Sequence, residues 1–168
     1  MVWWQARRPR ERAARPRSVG IGRRGGGSPL ILYLDTSALV KLYVREAGTE
    51  ETRAQLDAAS MAATSRVAYP EARAALARRQ RDAGITRAAL ARAVAALDRD
   101  LGRFVVVELS AKVAKRAGDL AQRRALRGFD AIHLASALEM EELTGAVPGF
   151  CCFDARLREA AVAEGLRV

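Results

Sequence analysis

An unbroken apolar run that ends on a carboxylate constrains this chain more than any other feature. Leu30-Ile31-Leu32-Tyr33-Leu34 is followed by Asp35, then by Thr36 and Ser37, and an amphipathic run from Ala38 to Val44 begins at once. Apolar residues without polar alternation indicate a strand covered on both faces. Thr36 or Ser37 is expected to cap the helix that follows. Ligands of open α/β sheets bind just outside the carboxyl ends of the strands. Asp35 therefore marks an edge to which other functional groups should return.

The rest of the chain supplies the other layers. Thr49 to Ala59 reads as a helix with Thr49 at its cap, and Met61 to Thr64 as a weak second strand. Ser65 is expected to cap a helix over 66–82, with a kink or an effective start at Pro70, and Glu71 directly after it. Thr86 caps a helix over 87–100 that carries Leu90, Val94 and Leu97 on one stripe, available to the core or to a dimer. A β-branched strand, Phe104 to Leu109, precedes a helix capped by Ser110 that runs to Leu126. A further helix runs from Phe129 or Asp130 to Leu143. The strand Phe150 to Phe153 then ends at Asp154, a helix covers 155–164, and Leu166 to Val168 forms a short last strand. Strands alternating with helices indicate an α/β fold, a parallel sheet with helices on both faces.

Charge separates the chain into two parts. Of a formal +10, residues 1–28 hold eight Arg against one acid, Glu11. These residues lack an apolar period and are expected to lie outside the packed core. Three readings of this basic extension stand side by side: an RNA-binding arm in which Trp3 and Trp4 stack on bases, a tail without a role, and sequence upstream of the true start. Residues 29–168 form the expected domain and are only mildly basic, so net charge alone does not argue for nucleic acid. Apolar runs are far shorter than the ~20 residues of a membrane helix, and no run has the ~7–15 apolar residues of a secretory signal core. A cytoplasmic location away from the membrane is expected. Cys151 and Cys152 are adjacent within an apolar run and read as small buried strand residues.

Asp35, Glu71, Asp130 and Asp154 all stand at element ends or starts. Any one alone is most simply a helix cap or first-turn partner. Together, in a parallel sheet, they gather at one edge, where like charges raise one another's pKa. A divalent cation relieves that repulsion, and hard oxygen ligands suit Mg²⁺ or Mn²⁺ rather than zinc. Such a site can activate water and hold a phosphodiester. Spacing alone leaves capping and metal binding both open.

Four segments together, Asp35-Thr36-Ser37-Ala38-Leu39-Val40-Lys41, Tyr69-Pro70-Glu71-Ala72-Arg73-Ala74-Ala75-Leu76, Phe129-Asp130-Ala131-Ile132-His133-Leu134-Ala135 and Phe153-Asp154-Ala155-Arg156-Leu157, resemble the PIN domain family and, within it, VapC-type toxins of bacterial toxin–antitoxin pairs. The resemblance runs from about Leu30 to Val168. It implies a three-layer α/β/α sandwich around a five-stranded parallel sheet, a Mg²⁺-dependent endoribonuclease, a cognate antitoxin that blocks the site, and a homodimer. Asp35, Glu71, Asp130 and Asp154 match the family's acidic quartet, and Asp35 and Asp130 match its main metal ligands.

Other residues take secondary places. Thr36 and Ser37 are candidates for orienting water or phosphate while also capping a helix. His133, one turn after Asp130, reads as a packed or hydrogen-bonded helix residue rather than a general base. Arg66, Arg73, Arg127 and Arg156 lie near the acids in sequence and are candidates for RNA phosphate contacts. An aspartyl-nucleophile phosphatase would need a second Asp where Ser37 stands. An RNA-processing nuclease outside any toxin pair and a non-catalytic PIN-like binding module are the remaining alternatives; loss of an acid would favour the second, and none is lost.

Overall fold

The computed structural model describes residues 30–168. The basic extension over 1–28, with its three readings, lies outside the described residues. Four parallel strands form one sheet in the order β3-β2-β1-β4: β1 (Ile31–Leu34), β2 (Met61–Ser65), β3 (Val105–Val107) and β4 (Gly149–Cys151). β1 lies between β2 and β4, with Tyr33 opposite Ala63 on one side and Phe150 on the other. The helices are α1 (Thr36–Lys41), α2 (Thr49–Ala58), α3 (Ala68–Arg81), α4 (Arg87–Asp100), α5 (Ala111–Arg124), α6 (Gly128–Thr144) and α7 (Ala155–Ala163).

The period of two along β1 divides the core into two layers. Ile31 and Tyr33 point to one face and pack with Val113 and Leu120 of α5, Leu134 and Met140 of α6 and Leu157 of α7. Leu32 and Leu34 point to the other and pack with Leu39 of α1, Leu76 of α3 and Leu97 of α4. Every β1 residue is buried, as a central strand covered on both faces must be. Leu97 is fully buried and Leu90 and Val94 pack against the same cluster, so the α4 stripe serves the core. Both cysteines are buried and free, Cys151 on one face and Cys152 on the other. Among the described residues no helix is long and apolar enough to cross a membrane.

The sheet has four strands where five were expected. After α7 the chain returns beside β4, but it makes a single parallel bridge, Arg167 to Gly149, with the Phe150 amide donating to the Arg167 carbonyl. α3 starts at Ala68 and not at Arg66, because Ser65 belongs to β2 and its buried hydroxyl takes a hydrogen bond from Ser136. Pro70 falls in the first turn of α3, where a backbone N–H has no helical partner, so it removes no bond.

Chain order reverses between β1 and β4: β2 and β3 extend the sheet on one side of β1, and β4 closes the other. This is the crevice in which open α/β sheets bind ligands. Gly48, in the left-handed region at φ +86°, lies before α2 against the ring of Phe153, which follows β4. A Cβ at Gly48 would collide with that ring. Gly48→Ala is expected to cost about 2 kcal/mol, from left-handed strain and the displaced ring, read as a lower urea midpoint. An unchanged midpoint would show that the ring moves aside freely.

Candidate active site

Asp35 follows β1 directly, and its amide donates to the Cys151 carbonyl at 3.1 Å, which holds the two strand ends together. Its side chain, 5% exposed, caps α1 by accepting from the Ala38 amide at 2.8 Å. The cap is therefore Asp35 and not Thr36 or Ser37, which are the first helical residues. The two hydroxyls hold carboxylates instead. Ser37 Oγ donates to Asp35 at 2.7 Å and accepts the Phe153 amide at 3.0 Å, and Thr36 Oγ1 donates to Glu71 Oε2 at 2.6 Å. Glu71 lies in the first turn of α3 and Asp130 in the first turn of α6, while Asp154 caps α7 through the Leu157 amide at 2.9 Å. All four carboxylates line one cavity of about 450 Å³, together with Thr36, Ser37, Lys41, Glu46, Arg79, Arg127 and His133.

Asp35, Glu71 and Asp130 do not share one electrostatic state. Burial raises the Asp35 carboxyl above its ordinary range; His133 and the hydrogen bonds from Ala38 and Ser37 oppose this, and Asp130 adds to it. Burial also raises Asp130, and Asp154 and Glu71 push it further against the pull of Arg127. For Glu71 burial acts upward too, but the hydrogen bonds from His133 and Thr36 outweigh it and hold the group low. The pair with the least favourable charge, Asp35 and Asp130, is the pair that a cation would relieve most.

The order of these elements and motifs decides the family. The PIN domain family matches residues 32–162. This chain belongs to the PIN domain family. Ribonuclease VapC45 of Mycobacterium tuberculosis strain CDC 1551 / Oshkosh is 43% identical over 144 residues, covering 82% of this chain and 94% of that protein. Ribonuclease VapC46 of strain H37Rv is 37% identical over 141 residues, covering 82% and 95%. Among solved structures, M. tuberculosis VapC20, described as a sarcin-ricin loop cleaving toxin, superposes with a TM-score of 0.59 at 19% identity, over 80% of this chain and 95% of that one. A toxin–antitoxin complex from Klebsiella pneumoniae gives 0.53 at 20%, over 73% and 86%. Both structures speak for the fold. The sequence relatives place the chain in the VapC branch of the family.

Of the arginines noted in the sequence, Arg127 lines the PIN cavity and the others are engaged elsewhere. Arg156 donates to the Ala125 carbonyl at 3.1 Å, Arg66 pairs with Glu108, and Arg73 pairs with Tyr69 and Asp98. Sequence reasoning missed a basic wall. Lys41, 8% exposed, donates to Glu46 at 2.8 Å and lies 4.2 Å from the centre of the Phe153 ring. Arg79 takes the other Glu46 oxygen. The available signal was a lone lysine one turn after Ser37 in an otherwise apolar helix. His133 is a buried hydrogen-bonded residue, as expected, with Nε2 at 3.0 Å from Glu71.

A raised carboxyl makes a definite prediction for the metal-free protein. Its contribution to stability is fully present below the unfolded pKa and is lost as pH rises through the folded one. Asp35→Asn retains a capping oxygen and removes the charge. It is expected to raise the metal-free Tm by several degrees at pH 7, with the gain shrinking as the medium is acidified through the Asp35 titration. Calorimetry from pH 7 to 3 checks this; a gain that grows towards low pH would contradict it.

Proposed function

We propose that this PIN domain chain is a divalent-metal-dependent endoribonuclease and the toxin of a toxin–antitoxin pair. The observation that carries this reading is the convergence of Asp35, Glu71, Asp130 and Asp154 on one cavity at the reversal point of the sheet. The ribonuclease names of its relatives support it.

Among the described residues no three carboxylate, imidazole or thiolate groups stand together as a ready-made metal cage. Mg²⁺ does not need one, since it is commonly bound by one or two carboxylates and keeps several waters. Asp35 and Asp130, half-buried or more and both raised by burial, fit that requirement and would hold Mg²⁺ or Mn²⁺. A bound cation supplies charge neutralisation at the phosphate and lowers the pKa of an attacking water. Glu71, kept ionised by Thr36 and His133, is the proton acceptor within the cavity. Asp154 is tied through one oxygen to the α7 amide of Leu157, which fixes its place on the wall. Lys41, Arg79 and Arg127 offset the repulsion between RNA phosphates and the acids.

RNA, a cognate antitoxin and a second copy of this chain are the partners in this reading. The antitoxin occludes the cavity with a basic side chain, because an acidic site short of cations attracts the planar fork of an arginine.

Asp35→Asn and Asp130→Asn are each expected to lower cleavage of total RNA by roughly 100-fold or more, with the fold retained by circular dichroism. Chelation with EDTA should stop the wild type and added Mg²⁺ restore it. Cleavage undiminished in excess EDTA would remove metal from the reading. The purified antitoxin complex should cut far more slowly than free toxin, and a basic-to-Ala change in the antitoxin tail should release activity. Inhibition untouched by any such change would refute the arginine plug.

A further inference from the structure

A chain of hydrogen bonds runs from the buried core layer to the candidate active site, and its middle member is the only histidine of the protein. Tyr33, fully buried in β1, stacks on Phe150 at 5.5 Å between ring centres and meets the edge of the His133 ring at 6.1 Å. Its hydroxyl lies 3.1 Å from His133 Nδ1. The other ring nitrogen, Nε2, lies 3.0 Å from Glu71 Oε2 and 2.9 Å from Thr36 Oγ1, and Thr36 Oγ1 itself donates to Glu71 Oε2 at 2.6 Å. His133 is 2% exposed, so water does not compete for these contacts.

Chemistry gives the chain a direction. An ionised carboxylate only accepts, so Nε2 must carry the proton that it gives to Glu71. In a neutral imidazole Nδ1 is then an acceptor and needs a donor, and the Tyr33 O–H is the group in place. A phenol keeps its proton near neutral pH, so that O–H can donate. The described hydrogen bonds to Glu71 both fall on Oε2; among the described residues Oε1 takes none.

We propose that His133 is a positioning residue: Tyr33 fixes its ring as the Nε2–H tautomer, and Nε2–H with the Thr36 hydroxyl clamps one oxygen of Glu71, leaving the other for the reaction. This differs from a general-base role, since His133 touches Glu71 and not the substrate. It gives Tyr33, a core residue, a part in the chemistry at a sheet end. Outer-shell partners of this kind typically change activity by roughly 10–100-fold when removed. The kinetic consequence rests on the nuclease reading above; the tautomer does not.

The test has two independent arms. With the single histidine labelled by ¹⁵N, the metal-free wild type at pH 8 should show one nitrogen protonated and one unprotonated, with the protonated nitrogen assigned to Nε2. Tyr33→Phe should shift the Nδ1 resonance or populate both tautomers. A wild-type ring with Nδ1 protonated, or a Tyr33→Phe spectrum identical to wild type, overturns the proposal whatever the protein does to RNA. In the kinetic arm, Tyr33→Phe should lower kcat roughly 10-fold with KM little changed. His133→Gln, whose amide can still donate from near the Nε2 position, should retain much more activity than the shorter His133→Asn. Equal kcat in Tyr33→Phe and wild type, or equal loss in the Gln and Asn variants at matched Tm, defeats the positioning role. A wild type that binds no metal and cuts no RNA refutes the nuclease reading instead, and the spectra still decide the tautomer.

Discussion

Like charges brought to one edge of a parallel sheet repel one another, and much of the local structure around this site is a response to that repulsion. Three of the four carboxylates are fastened by hydrogen-bond donors: Asp35 by the Ala38 amide and Ser37, Glu71 by Thr36 and His133, Asp154 by the Leu157 amide. Asp130 has no such donor among the described residues and depends on the charge of Arg127. Donors that favour the ionised form lower a carboxyl pKa, and burial raises it. The balance differs among Asp35, Asp130 and Glu71, so one cavity contains both a carboxylate held low and two held high.

The same geometry answers why capping and function need not compete as explanations. Asp35 and Asp154 cap α1 and α7, and Glu71 and Asp130 lie in the first turns of α3 and α6. Helix N-termini carry partial positive charge, each worth roughly 0.3–1 kcal/mol to a nearby anion. Four such ends directed at one cavity offset part of the cost of collecting four acids. Helix starts follow strand ends in a parallel sheet, so the topology that gathers the carboxylates also supplies the dipoles that make them tolerable.

Much of this arrangement was legible in the chain. Leu30 to Leu34 announced a doubly covered strand because it lacks polar alternation, and the quartet was visible because each acid stands beside a break in periodicity. The cap was misassigned between neighbours: three adjacent residues, Asp35, Thr36 and Ser37, can all cap, and only backbone conformation chooses among them. The fifth strand was overcounted because β propensity in three residues does not show whether a ladder forms. Lys41, Glu46 and Arg79 were not legible as a unit, since they come from α1, the turn after it and the far half of α3. The Tyr33 to His133 contact joins residues 100 positions apart and depends on a rotamer choice in the core.

Lys41 shows how the basic wall is held without neutralising the acids. A buried ammonium needs a partner, and Lys41 shares its cavity with Asp35, Glu71 and Glu46. A Lys41 paired with Asp35 or Glu71 would neutralise one of the gathered acids. Its partner is Glu46 instead, which takes Lys41 on one oxygen and Arg79 on the other. The Phe153 ring lies 4.2 Å from the ammonium, within the range where a cation and an aromatic face attract. Gly48 permits that ring its position, because any side chain there would occupy the same space. A left-handed glycine before α2, an aromatic residue after β4 and a glutamate in a turn thus cooperate to keep positive charge beside the carboxylates and off them.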